Sequence, residues 1–287
     1  MSIRIGIVLI AVAAGAGAED YLNPPGEPGS PETRMRTLNE VQAAQPISSL
    51  PFAITNSGSY IVVGPLTGAS GSNGISILAD HVTLDLNGFC LTGGAGTQYG
   101  IEIPGSQVSI TIRNGALRNW GLYGIYAASV DNSVFSGLTS ISNGWGANCS
   151  GILVGKNNLV SDCVSAGSKS FGIATGTGST LRDCKVYGNN SRGISAADGS
   201  TVTGCSAYDN ADTGIAAYGG STISKCMAYE NLSEGIFGQS CVIRDCAAYN
   251  NTGNGIEATF CTVEACSVSD NHGHGIYASS AVVSHCT

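Results

Sequence analysis

A cysteine recurs at Cys163, Cys184, Cys205, Cys226, Cys246, Cys266 and Cys286, always 20 or 21 residues from the last. An asparagine trails by five residues at Asn189, Asn210, Asn231, Asn251 and Asn271, and a tyrosine by three at Tyr187, Tyr208, Tyr229 and Tyr249. Thiols can ligate metals or pair, amides can form hydrogen-bond ladders, and phenol rings can receive sugars. Charged groups keep the same beat. The slot before the cysteine holds Asp162, Asp183, Gly204, Lys225, Asp245 and Ala265, and the slot before that includes Arg182 and Arg244. Asp183 and Asp245 stand three repeats apart, about 14 Å if each repeat advances by one inter-strand spacing. Paired glycosidase carboxylates need roughly 5–9.5 Å, so the acidic column reads as solvated charge. His272 and His274 supply two imidazoles, short of the three or four ligands of a zinc site. A column also presents its sulfurs in parallel, where zinc needs tetrahedral convergence. No metal and no other cofactor is expected.

The elements that carry these columns follow from the repeat itself. A Gly-Ile pair recurs at Gly74, Gly100, Gly124, Gly151, Gly172, Gly193, Gly214, Gly235, Gly255 and Gly275, tightening to a period of 20–21 toward the C-terminus. Each unit is rich in Gly, Ser, Thr and Val and lacks a leucine ladder, which predicts short strands joined by turns. Three strands per coil, stacked at about 4.8 Å, make a parallel β-solenoid. Period-2 alternation points Ile223 and Ala228 inward and Tyr229 outward. Ile173, Ile194, Ile215, Ile236, Ile256 and Ile276 are expected to form one buried column.

The cysteine then occupies an inward corner as a small hydrophobe, and the asparagines bond to their copies above and below. Reduced thiols are expected. Parallel Cβ vectors about one strand spacing apart suit a disulfide poorly, and seven cannot pair completely. Cys241 and Cys261 form a second column under the same geometry. Cys90 and Cys149 fall off both columns, and their pairing is open.

The Gly-Ile repeats, "VTLDLNGF" at Val82–Phe89 and "ITIRNG" at Ile110–Gly115 resemble the right-handed parallel β-helix superfamily that includes pectate lyases and polygalacturonases. The resemblance runs from about Ile54 to Thr287, and the layout is similar to that of secreted bacterial members. It implies an all-β, right-handed parallel β-helix and, as one function, a polysaccharide lyase or glycoside hydrolase. "NHGHG" at Asn271–Gly275 contains the Gly-His-Gly of polygalacturonases, yet their Asn-Thr-Asp, Asp-Asp and Arg-Ile-Lys motifs are missing. The other reading is a non-catalytic scaffold that contacts glycans or cell-envelope surfaces. Its candidate carbohydrate-binding residues are Tyr187, Tyr208, Tyr229 and Tyr249. The bland use of that strip is stabilisation of strand pairing.

Composition and the chain ends complete the expectations. A net charge of −8 across 287 residues disfavours a nucleic-acid partner. Residues 1–18 read as a signal peptide, with a short apolar run before Ala16-Gly17-Ala18, so the chain is expected in the envelope, in the periplasm or outside the cell, with no membrane span after cleavage. Residues 19–50 read as a leader with an N-terminal capping helix: Thr37 and Glu40 in capping-box spacing, an apolar face of Leu38, Val41 and Ala44, and Pro46 as the stop. Residues 51–287 are the β-helix. Its last coil stops just after Cys286 without a polar cap. The expectation is therefore that the chain continues or that this end associates with another molecule.

Overall fold

One coil shows how the sequence closes on itself. In Gly193–Thr213 the strands are Ile194–Ala196, Thr201–Thr203 and Ser206–Tyr208. Gly199, Gly204 and Asp209 separate and end them, each with positive φ (67°, 64° and 53°). A left-handed residue at each corner turns the chain sharply, and glycine takes that conformation at no steric cost. The computed structural model describes residues 44–145 and 149–287, and among these every regular element is a β-strand.

Stacking the coils gives parallel pairing throughout. The Gly-Ile strands form an eleven-stranded sheet running in chain order from Phe52–Ile54 to Ile276–Ser279. The other two strands of each coil belong to a twenty-stranded sheet. Its two faces are continuous because Thr111–Arg118 and Val134–Ile141 run unbroken through the corner in two early coils. Three strands per coil is the expected count.

Register turns sequence slots into columns. Ile173, Ile194, Ile215, Ile236, Ile256 and Ile276 are consecutive partners. The first five are fully buried, and Ile276 is partly exposed in the last coil. Each fully buried isoleucine contributes about 1.5–3 kcal/mol relative to exposure. Ile223 and Ala228 face the core and Tyr229 faces out, as the alternation predicts. In the last coil Val282 and Val283 are 65% and 42% exposed.

The slot before each ladder cysteine has a backbone explanation. Asp162, Asp183, Lys225, Asp245 and Ala265 all have φ of 51–55° and are exposed. This is the corner of the coil, where Gly, Asn and Asp are tolerated best. Its charge varies because the fold selects for a left-handed conformation.

The signal peptide and nearly all of the proposed leader, Leu38 and Val41 included, lie outside the described residues. Pro46 does not stop a helix: it sits in the strand Gln45–Ile47, which pairs in parallel with Gly58–Val62.

Candidate functional site

Tyr187, Tyr208, Tyr229 and Tyr249 occupy the third position of their strands and are direct register partners. Their rings stack with centroids 4.9, 4.8 and 5.0 Å apart and interplanar angles of 6°, 5° and 3°. The structure thus brings all four candidate residues together on one half-buried strip. Within the strip each ring face packs on the next ring, so the strip offers ring edges and hydroxyls to solvent. Lys185 lies 5.7 Å from the Tyr187 ring and 5.4 Å from that of Tyr208, a cation–π arrangement at one end. Burial, followed by the neighbouring phenols Tyr208 and Tyr249, pushes the Tyr229 hydroxyl above the usual tyrosine range.

A second aromatic group lies on the Gly-Ile sheet, and sequence reasoning missed it. Tyr99 and Tyr123 precede successive Gly-Ile pairs, and Tyr126 is the outward residue of Ile125–Ala127. Tyr99 lies 6.0 Å from Tyr123 and 5.2 Å from Tyr126, and the latter two are 5.1 Å apart. Glu102 is the register partner of Tyr126 in the coil before. Burial raises its carboxyl above the usual range, against a 2.6 Å hydrogen bond donated by Asn73 Nδ2. Burial and the neighbouring Cys149 thiol push the Tyr123 hydroxyl up to about 12. One signal was available: Tyr99 and Tyr123 hold the same slot in adjacent repeats.

Gln98 and Leu122, the residues just before those tyrosines, line a cavity of about 660 Å³ with Gly94, Gly96, Asn119 and Trp145. Glycine keeps this wall close to bare backbone. Trp145 is 62% exposed and carries Lys169 Nζ 4.4 Å from its ring centre. The volume falls in the usual range for small-ligand sites.

The other polar candidates do not converge. Asp183 and Asp245 are the exposed corner residues already described. His272 and His274 are exposed, with His274 stacked 5.6 Å from Tyr277. All eleven cysteines are free, including Cys90 and the buried Cys149 beside Tyr123. Among the described residues no helix is long and apolar enough to cross a membrane.

The family described as "Right handed beta helix region" matches residues 73–224 and 198–287. No curated protein matches the sequence. Among solved structures, the chain is similar to the A-module of the Azotobacter vinelandii mannuronan C-5 epimerase AlgE4. The TM-score is 0.63 at 13% identity, covering 75% of this chain and 70% of that one. It is similar also to the Geobacillus virus E2 protein ORF18 (TM-score 0.62, 14% identity, 82% and 54% covered). A third is pectate lyase Pel9A (TM-score 0.55, 16% identity, 73% and 70% covered). At these identities the likeness is one of fold.

Proposed function

Because the chain belongs to the family of right-handed β-helix proteins, we propose that it is an exported, non-catalytic scaffold that binds a glycan along the coils. The observation that carries this reading is the Tyr99–Tyr123–Tyr126 wall beside the glycine-lined cavity and the exposed Trp145. Sugars present apolar C–H faces and hydroxyls together. The half-buried tyrosines and the exposed Trp145, beside backbone and amide groups, answer both. The strip of Tyr187, Tyr208, Tyr229 and Tyr249 is the second contact, working through its hydroxyl edges. Two of the structures of similar fold are named as a mannuronan epimerase and a pectate lyase, which is consistent with a glycan as the ligand class.

Glu102 favours an enzymatic alternative, a polysaccharide lyase or glycoside hydrolase. A carboxyl raised by burial and placed beside phenols is a fit acid–base group. The acidic column weighs against hydrolysis, since Asp183 and Asp245 stand about 14 Å apart at the inter-strand spacing.

A glycan array, run beside reducing-sugar and unsaturated-product assays on the same polysaccharides, tests both readings. The scaffold reading expects binding without turnover, lost on Tyr126→Ala with Trp145→Ala and weakened on Tyr208→Ala with Tyr229→Ala. Turnover abolished by Glu102→Gln establishes the enzyme instead. Absence of any glycan binding removes both.

A further inference from the structure

We propose that the cysteine column binds a soft, two-coordinate d10 cation, Cu(I) foremost, as S–M–S bridges between adjacent coils. The strands on either side of Cys163 and Cys184 are in register, Ser161 with Arg182 and Val164 with Lys185, so the two cysteines face one another. The same holds coil after coil to Cys266. Every sulfur also takes one orientation. Each Sγ lies 3.1–3.4 Å from the carbonyl oxygen two residues before it, from Cys163 on Ser161 to Cys286 on Ser284. Identical orientation makes the sulfurs repeat with the coil rise, about 4.8 Å.

That spacing discriminates between chemistries. A disulfide needs its sulfurs near 2.05 Å, less than half the rise. A tetrahedral ion needs three or four converging ligands, and among the described residues no such group of His, Cys, Asp or Glu exists. A linear ion with metal–sulfur bonds of roughly 2.2–2.3 Å spans about 4.4–4.6 Å, within a few tenths of an ångström of the coil rise, so a small inward shift of the two sulfurs completes the bridge. The expectation of no metal considered tetrahedral zinc alone. Thiolates select soft ions such as Cu(I).

Packing does not by itself call for sulfur. The inward slot three residues before the cysteine changes freely, as Val160, Leu181 and Ile223 show, and the slot two after it holds Ser165, Val186 and Ala207. The corner is nonetheless cysteine in seven successive coils. In the coil before Cys163 the equivalent position is the fully buried Leu138, and before that Gly115. The corner therefore accepts an aliphatic residue. Burial of the first six thiols to 0–2% exposure excludes water and with it hard, hydrated ions.

The balanced step is 2 RSH + M⁺ → [RS–M–SR]⁻ + 2 H⁺. Two S–H bonds break, two S–M bonds form, both protons go to solvent and no electron is transferred. Seven thiols admit three such bridges, and Cys241 with Cys261 admits a fourth; there the Cys241 N–H already points at Cys261 Sγ at 3.2 Å.

The test titrates the reduced full chain with Cu(I) under anaerobic conditions, and with Ag(I) as an air-stable probe. It follows thiolate-to-metal charge-transfer absorption, competition with a colorimetric Cu(I) chelator, and circular dichroism. Expected is uptake of up to four ions with the β spectrum intact. Cys205→Ala with Cys226→Ala should lose one ion, Cys241→Ala with Cys261→Ala one ion, and Cys90→Ser none. No uptake, uptake only as the β spectrum is lost, or stoichiometry unchanged in both paired variants overturns the proposal. If the first pair does not fold, the second decides. Equal uptake of Zn(II) overturns the two-coordinate geometry.

Discussion

Asn231 Oδ1 accepts two hydrogen bonds from Asn210, one from its side-chain Nδ2 at 3.0 Å and one from its backbone N–H at 3.2 Å. Asn231 in turn donates to Asn251 Oδ1 at 2.9 Å and to the carbonyl of Ala207 at 3.1 Å. Both asparagines are fully buried. One amide thus satisfies two backbone groups in the turn of the preceding coil, and the pattern passes onward to Asn271.

Replacing Asn231 with Ala should therefore destabilise the chain by on the order of 3 kcal/mol, because several buried donors and acceptors lose partners together. Urea denaturation of the variant measures it. A change under 1 kcal/mol would mean that water replaces the amide and that the ladder contributes little.

Two glycines predict opposite sensitivities. A Cβ at Gly214 would lie 2.6 Å from Asn231 Nδ2 and 2.7 Å from the Gly235 carbonyl oxygen. A Cβ at Gly220 would meet nothing within 4 Å, and only its φ of +72° opposes a side chain. Gly214→Ala should cost about 3 kcal/mol by overpacking, against ~1 kcal/mol of backbone strain for Gly220→Ala. Thermal melts of the two variants give the comparison, and equal costs would contradict the geometry.

The stacked tyrosines should show measurable coupling. A double-mutant cycle on Tyr208→Ala and Tyr229→Ala is expected to return about 0.5–1.5 kcal/mol beyond area burial. Additive single effects would reduce the strip to four independent surface residues.

Alkaline pH should loosen the second aromatic group. Tyr123 has its folded pKa raised to about 12 from 10.0, so the folded chain holds this proton more tightly than the unfolded one. The associated stability is fully present below pH 10 and is lost as pH climbs through about 12. Denaturation between pH 9 and 12 should show a smaller alkaline loss in Tyr123→Phe than in the parent. The same slope in both would place the titrating group elsewhere.

Thiol labelling reads out the packing of the cysteines. In the folded chain Cys90 and Cys286, both partly exposed, should alkylate first. All eleven should alkylate after denaturation without reductant. Fewer than half of the ladder cysteines reacting under those conditions would show that the column is oxidised.

How much of this was legible in the sequence depends on the kind of contact. Tyr208 on Tyr229, Asn210 on Asn231, Ile194 on Ile215 and Cys205 facing Cys226 were all readable. Each joins equal slots of adjacent repeats, and parallel pairing converts a 21-residue period into one strand spacing. Period-2 alternation then assigned Ile223 inward and Tyr229 outward without coordinates. Contacts between unequal slots were not readable. Tyr126 meets Tyr99 across coils of 24–27 residues, where the turn length varies and no constant offset relates the two rings. The cavity beside Trp145 likewise needs the paths of two loops. The column of Asp162, Asp183 and Asp245 looked like charge in the sequence and is a left-handed backbone corner in the fold. Repetition by itself determined which residues form columns. Only tertiary structure decided which neighbouring columns meet, because that depends on turn geometry, and turn geometry is set by packing across coils.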